Sequence, residues 1–329
     1  MGTVPTVKFG LFFLCERPPW QSQAAAYHDA LDQAVYADAL GFDAVWIAEH
    51  HFSEYGIVPD AAVLAAALAQ RVRRMRIGTG VSILPFTNPI RAAESLAMVD
   101  QLSGGRLDFG VGRGHHPGEF AGFGVPRDES RERFDESLEI IRRAWTEETF
   151  TYEGRFYQAR NITVMPKPVQ KPHPPIWVAA VSPESFERAA RSGYRVLSAP
   201  AITPPALLAK GYETYRRVWS EAGHAADPEI PALHFTYVGA SDPQARREPE
   251  ACVMWHLRRQ YPPHVDYAHC YESVLLFGDI ERVVERIARL RDELGVTYLL
   301  AWMNFGGLES DLARNSLRRF AEKIIPRFR

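Results

Sequence analysis

Three cysteines in 329 residues, Cys15, Cys252 and Cys270, are too few and too scattered for a disulfide framework or a thiolate metal cluster, which points to a reducing compartment. An excess of one charge is also lacking. Lys plus Arg number 38 and Asp plus Glu 40, a formal net charge of -2 with the signs interspersed. That leaves no basic stripe for nucleic acid and no basic amphipathic stretch for a membrane surface. No apolar run approaches the roughly 20 residues that span a bilayer. The opening MGTVPTVKFGLFFLCERPPW has a short apolar part that runs into a charged, proline-rich turn, so it reads as a first strand rather than an export signal. No repeat, low-complexity tract or Gly/Ser linker divides the chain. The expectation is one soluble, cytoplasmic domain over residues 1–329, with 46% hydrophobic residues to fill a large core.

What is present alternates. VKFGLFFL leads to a helix from about Gln23 to Leu40, closed by Gly41. AVWIA leads through a loop to DAAVLAAALAQRVRR, RIGTGVSIL to IRAAESLAMVDQLS, and RLDFGVG to ESRERFDESLEIIRRAW. PIWVAAV precedes PESFERAARSG, and YRVLSAP precedes a helix from about Pro205 to Glu221. LHFTYVG and VTYLLAW are the last two strands, with a helix from about Asp279 to Leu294 before the final one and a closing helix near Ser310 to Ile325. Eight strands alternating with helices predict an α/β fold with a parallel sheet. The count favours a closed (β/α)8 TIM barrel over an open doubly wound sheet.

Two segments exceed ordinary connections. Residues 150–175 read as a hairpin with a glycine turn and a proline-rich crossing, inserted after the fourth helix. Ala240 to Phe277, after the seventh strand, reads as a long, irregular aromatic loop of the kind that covers a site. DAAVLAAALA is apolar almost all round, which predicts burial on both sides and subunit contact, against the plainer alternative of a covering loop.

In such a barrel, chemistry sits at the C-terminal ends of the strands. Glu49, His50 and His51 fall there, just beyond AVWIA. Neighbours on a strand point to opposite faces, so at most one of the two histidines is expected to be central. FGVGRGHHPGEF, residues 109–120, is a second strand end. Its glycines permit close backbone approach, and Arg113 offers a planar donor fork suited to phosphate. VSPES, residues 181–185, opens a helix directly after a strand, with Ser182 as N-cap and Pro183 in the first turn, which makes a ready anion site. His50, His51, His115 and His116 come as adjacent pairs without helical i, i+4 spacing or HExxH, so no metal is expected.

Together these residues resemble the luciferase-like flavin monooxygenases, most closely the alkanal monooxygenase α-chain branch. The likeness runs through KFGLFF, GFDAVWIAEHHFSEYG, IGTGVSILPFTNPIRAAE and DQLSGGRLDFGVGRG, resumes over WVAAVSPESFERAARSG, and weakens after about residue 200. It implies a (β/α)8 barrel that binds reduced FMN at its mouth, and a homodimer packed through the second and third helices. By position it implies Arg113 on the FMN phosphate, with Ser182, Ser185 and the backbone at His115 assisting. Gly80 and Val81 take the place of a non-proline cis peptide under the flavin ring, Phe12 lines the ring pocket, and His50 aligns with the catalytic histidine. Two departures stand out. Gly112 replaces a reactive cysteine, which is expected to open space beside the flavin and makes light emission doubtful, and Val181 replaces a glutamate before the phosphate-binding serine.

The activity so implied is monooxygenation through a C4a-peroxyflavin. A separate NAD(P)H:flavin reductase supplies reduced FMN, and O2 and an apolar organic substrate (aldehyde, ketone or aromatic) complete the reaction. His50 serves as general base or hydrogen-bond partner, and His51 and His116, with His115, orient the substrate. Trp255, Tyr261 and Tyr267 belong to the expected lid, and Phe86 and Trp302 to an apolar mouth. An F420-dependent hydride-transferring oxidoreductase and a non-catalytic flavin-binding protein are the alternatives on this fold.

Overall fold

The computed structural model describes residues 5–199, 203–260 and 265–329. In chain order its strands are β1 (Lys8–Phe13), β2 (Ala44–Ile47), β3 (Arg76–Thr79), β4 (Ser82–Ile83), β5 (Leu107–Gly112), β6 (Phe150–Glu153), β7 (Gln158–Ile162), β8 (Ile176–Ala179), β9 (Arg195–Leu197), β10 (Pro231–Val238), β11 (Leu276–Gly278) and β12 (Tyr298–Asn304). Its α-helices are α1 (Gln23–Leu40), α2 (Ala61–Arg71), α3 (Pro89–Ser103), α4 (Pro117–Phe123), α5 (Ser130–Thr146), α6 (Pro183–Arg191), α7 (Pro205–Glu221), α8 (Asp242–Arg247), α9 (Glu250–Gln260), α10 (Tyr267–Ser273), α11 (Ile280–Leu294) and α12 (Ser310–Arg319).

The parallel sheet runs β10-β12-β1-β2-β3-β5-β8-β9. It closes where the Leu233 N–H donates to the Ser198 carbonyl at 3.1 Å and the Ser198 hydroxyl donates to the Pro231 carbonyl at 3.0 Å. The result is a (β/α)8 barrel. Period-2 alternation separates its two cores. On β12, Tyr298, Leu300 and Trp302 point into the barrel beside Phe12, Trp46, Trp177 and Phe235. Leu299, Ala301 and Met303 face the helical layer with Phe9, Val45, Ile77 and Phe109. The interior aromatics bring roughly 150–250 Å² of surface each out of water, and the polar tips find partners: the Trp46 indole N–H donates to the Tyr298 hydroxyl at 2.8 Å.

The helices begin and end where their caps dictate. Ser22, Asp60 and Asn88 accept first-turn N–H groups of α1, α2 and α3, and left-handed Gly41 and Gly104 close α1 and α3. α2 buries Leu64, Ala65 and Leu68 but leaves Val63 69% exposed, and α3 exposes Met98 and Leu102.

Three expectations need correction. RIGTGVSIL is not one strand: the ladder stops at the Gly80–Val81 peptide, which is cis, and resumes as β4 paired with β5. The connection after β10 is not irregular, since it folds into α8, α9 and α10 and then β11, which adds to the outer edge of β10. Helices of 6, 11 and 7 residues are too short for periodicity to expose in an aromatic stretch, although Tyr267 and Tyr271, four apart, are both buried. Tyr261, expected in a lid, lies outside the described residues. The third correction concerns Gly112. A Cβ there would lie 2.5 Å from Val81 Cγ2, so the side chain of Val81 fills the space that the missing cysteine was expected to open. The segment after β5 and α5 forms the antiparallel pair β6–β7.

Candidate active site

β2 ends at Ile47, so Glu49, His50 and His51 are free of strand alternation and their rings diverge. His50 Nδ1 lies 2.9 Å from Glu119 Oε1, and that oxygen also accepts the His51 backbone N–H at 3.0 Å. Its ring packs edge-on against Tyr55 at 4.7 Å, His116 at 5.1 Å and His115 at 6.1 Å between centroids. His51 turns the other way. Its Nε2 is 3.2 Å from Glu49 Oε1, and its ring meets Phe123 at 4.6 Å and Phe86 at 5.9 Å.

The electrostatics follow from these contacts. Burial works to raise the Glu119 carboxyl, but the His50 hydrogen bond and charge and the His51 N–H outweigh it and hold the group below its ordinary range. Glu49 goes the other way: burial raises it, and the contacts from His51 and the Ile83 N–H only partly offset that. Desolvation, then the neighbouring His50, depresses His116, and desolvation, then His116 and His50, depresses His115. Both are therefore neutral imidazoles at neutral pH. Two buried atoms here, Glu119 Oε2 and His116 Nε2, have no partner. Such atoms in a closed site are where a bound ligand or water finds its hydrogen bonds.

A second region lies across β5. A cavity of about 220 Å³ is lined by Gly112 and Arg113 at the end of β5, Arg131 and Asp135 from α5, Ser182 and Ser185 from the start of α6, and Arg188 from its last turn. Ser182 and Ser185 form a reciprocal cap: the Ser182 side chain accepts the Ser185 N–H, and Ser185 Oγ accepts the N–H groups of Ser182 at 3.0 Å and Val181 at 3.1 Å. Partial burial and then the like charges of Arg131 and Arg188 press the Arg113 pKa downward. Of these arginines, Arg188 is partly neutralised by Asp135 at 3.1 Å. Guanidinium groups crowded around one cavity, beside the capped start of α6, are relieved by an anion, so the residues fit a phosphate.

The structure thus gathers Arg113, Ser182 and Ser185 on one side and His50, His115 and His116 on the other, with the His51 ring turned away toward Phe86 and Phe123. The cis Gly80–Val81 peptide stands near Phe12: a Cβ on Gly80 would be 3.3 Å from the Phe12 ring. His115 is not among the residues lining the anion cavity, and its ring stands with the histidines, 3.9 Å from His116. Residues that sequence reasoning passed over are Glu119, Tyr55, Arg131 and Arg188. Glu119 lies within FGVGRGHHPGEF and could have been found there as a carboxylate one helical turn past the histidines. The arginines carry no sequence signal, because three separate elements bring them together. Among the described residues no group of three or more His, Cys, Asp or Glu side chains is arranged to hold a metal ion, and no helix is long and apolar enough to cross a membrane.

A parallel barrel with an arginine-lined cavity at one strand end and a carboxylate–histidine pair at another is the arrangement of a barrel enzyme with room for an anion at its mouth. The chain belongs to the luciferase-like monooxygenase family, whose model matches residues 7–298. The oxygenase component of a flavin-dependent trigonelline monooxygenase from Acinetobacter baylyi is 33% identical over 250 residues, 73% of this chain and 67% of that protein. The crystal structure of monooxygenase RslO1 from Streptomyces bottropensis superposes with a TM-score of 0.92 at 34% identity, covering 98% of this chain and 100% of that one. The oxygenating constituent of 3,6-diketocamphane monooxygenase from Pseudomonas putida, solved with FMN, shares the fold at a TM-score of 0.88 and 21% identity, covering 98% and 99%.

Proposed function

We propose that the protein is the oxygenase component of a two-component system, taking reduced FMN from a separate NAD(P)H:flavin reductase and using O2 to oxygenate an apolar organic substrate. The observation that carries this reading is the arginine-lined cradle at the α6 N-terminus, on the same barrel mouth as the His50–Glu119 pair. The composition of the A. baylyi relative, an oxygenase component by name, supports the separate reductase.

Arg113 would hold the FMN phosphate, with Arg131 and Arg188 adding charge and Ser182 and Ser185 supplying hydroxyls, while His115 stands outside that cradle beside His116. Phe12 and the neighbouring cis Gly80–Val81 peptide would hold the flavin ring. Bound reduced flavin supplies the electrons and the activation of O2. Glu119 fixes the orientation of His50, leaving Nε2 to hold or move a proton at the reacting oxygen. His51 and His116 orient the substrate, His116 through its unpartnered Nε2. The packed rings of Phe12, Phe235 and Trp302 exclude water from this side of the mouth. The exposed Val63, Met98 and Leu102 on α2 and α3 support a homodimer through those helices. The cytoplasm is the proposed location.

Anaerobic titration with reduced FMN, followed by rapid mixing with O2, tests the reading. Tight binding and reoxidation slower than in buffer are expected. Absence of binding overturns it, and the titration is then repeated with reduced F420.

A further inference from the structure

A second carboxylate–imidazole pair also meets Tyr55, the ring that packs against His50. Glu16 follows β1, and His256 lies within α9. His256 Nδ1 is 2.6 Å from Glu16 Oε1, and Glu16 Oε2 accepts the Gly306 N–H at 2.7 Å. The two side chains are only 4% and 2% exposed. A carboxylate oxygen accepts, so in the neutral imidazole that faces it Nδ1 carries the hydrogen and Nε2 the lone pair. Among the described residues the contact with Glu16 is the sole hydrogen bond of the ring. Burying such a pair is a poor way to gain stability, but it is the arrangement that holds an imidazole as a base.

The surroundings place this base in the aromatic wall of the mouth. The His256 ring meets Trp302 at 4.8 Å, Phe235 at 4.9 Å and Tyr55 at 5.3 Å, and Phe235 and Trp302 stack on one another at 4.2 Å. Trp302 in turn meets Phe12 at 5.2 Å. The ring of Tyr55 meets both His256, at 5.3 Å, and His50, at 4.7 Å. The position is also rigid. α9 lies so close to Gly306 that a Cβ there would be 2.0 Å from the Cys252 carbonyl oxygen, and Arg259 reaches Glu54, in the loop after β2, at 3.4 Å.

We propose that His256, oriented by Glu16, is the substrate-side base of this enzyme, and that the substrate is a flat conjugated molecule bearing an acidic O–H, a phenol or an enol. The O–H bond breaks, an N–H bond forms at Nε2, the electron pair stays on the oxygen, and Glu16 balances the imidazolium. The resulting phenolate or enolate carries an electron-rich carbon, the partner that an electrophilic oxygen transfer needs. A simple aliphatic aldehyde has no such proton to lose and gains little from an aromatic wall. This inference rests on the oxygenase reading and narrows its substrate class.

The test uses 4-nitrophenol, whose phenolate is yellow, titrated below its own pKa into protein loaded anaerobically with reduced FMN, which leaves the phenolate band clear, and into flavin-free protein. Wild-type protein is expected to bind the probe and show the phenolate band. H256Q is expected to abolish the band and E16Q to weaken it, with the affinity for reduced FMN unchanged in both. The proposal is overturned if the probe does not bind wild-type protein, binds only as the neutral phenol, or keeps its band in H256Q. Should H256Q lose the native circular dichroism spectrum, E16Q decides alone, an undiminished band overturning the proposal. Failure of reduced FMN to bind counts against the oxygenase reading only, because the flavin-free titration still decides the role of His256.

Discussion

His50 Nδ1 and Glu119 Oε1 stand 2.9 Å apart, and the same oxygen accepts the His51 N–H, so one carboxylate holds two consecutive residues of the β2 exit. Glu119 is held below its ordinary range, so its stabilisation is fully present above the unfolded value near 4.5 and is lost as pH falls through the lower folded value. E119Q keeps the shape and loses the charge. At neutral pH it is expected to cost about 2 kcal/mol in urea unfolding. The gap to wild type should close on acidification below pH 4.5. An equal gap at both pH values would remove the charge from the account.

The arginine cradle predicts a selectivity. R113A, R131A and R188A should each weaken FMN binding, with R113A costing about 2 kcal/mol, roughly thirtyfold in Kd. Riboflavin, which lacks the phosphate, should bind wild type and variants alike. Fluorescence quenching of the two flavins measures both. A matching loss of riboflavin affinity would place the arginines elsewhere than on the phosphate.

Much of this was legible in the sequence, and the division has a physical basis. The eight barrel strands announced themselves because each is apolar on both faces and closes on turn residues, as AVWIA does before Glu49. Arg113 and Ser182 were legible because a strand end and a capped helix start are local patterns. What stayed hidden depends on distant parts of the chain. Arg131 joins Arg113 only because α5 packs beside β5, and His256 meets Glu16, 240 residues away, only through the short helix α9. Gly112 shows the limit of reading a substitution alone: a missing side chain implied empty space, and Val81, just before the adjacent strand β4, occupies it.

That packing can be tested by refilling it. In G112A the new methyl would sit 2.5 Å from Val81 Cγ2. Overpacking of this kind costs about 1–3 kcal/mol. V81A added to G112A should recover most of the loss, a coupling that a double-mutant cycle of urea unfolding free energies reads directly. Additive effects would mean that Gly112 and Val81 do not compete for the same space.

His234, outside the site, supplies a pH-dependent test of the scaffold. It is fully enclosed on β10, its Nδ1 contacts the Val274 carbonyl at 3.3 Å, and its Nε2 is buried without a partner. Burial first, and the Arg286 charge after it, outweigh the carbonyl contact and push its pKa from 6.5 down to about 4. The folded chain therefore refuses a proton that the unfolded chain accepts, and stability is lost as pH falls from 6.5 toward about 4. The full loss from this one residue is on the order of 3 kcal/mol, since each pKa unit is worth about 1.4 kcal/mol. H234Q removes the titration and keeps a polar side chain, so its unfolding free energy should fall less than that of wild type between neutral pH and the acid end of that window. Exposed His115, depressed in the same direction, adds to the slope in both proteins and cancels in the comparison. Identical slopes would show that His234 takes up its proton without opening the barrel wall, and the acid sensitivity in that window would then belong to His115 and His116.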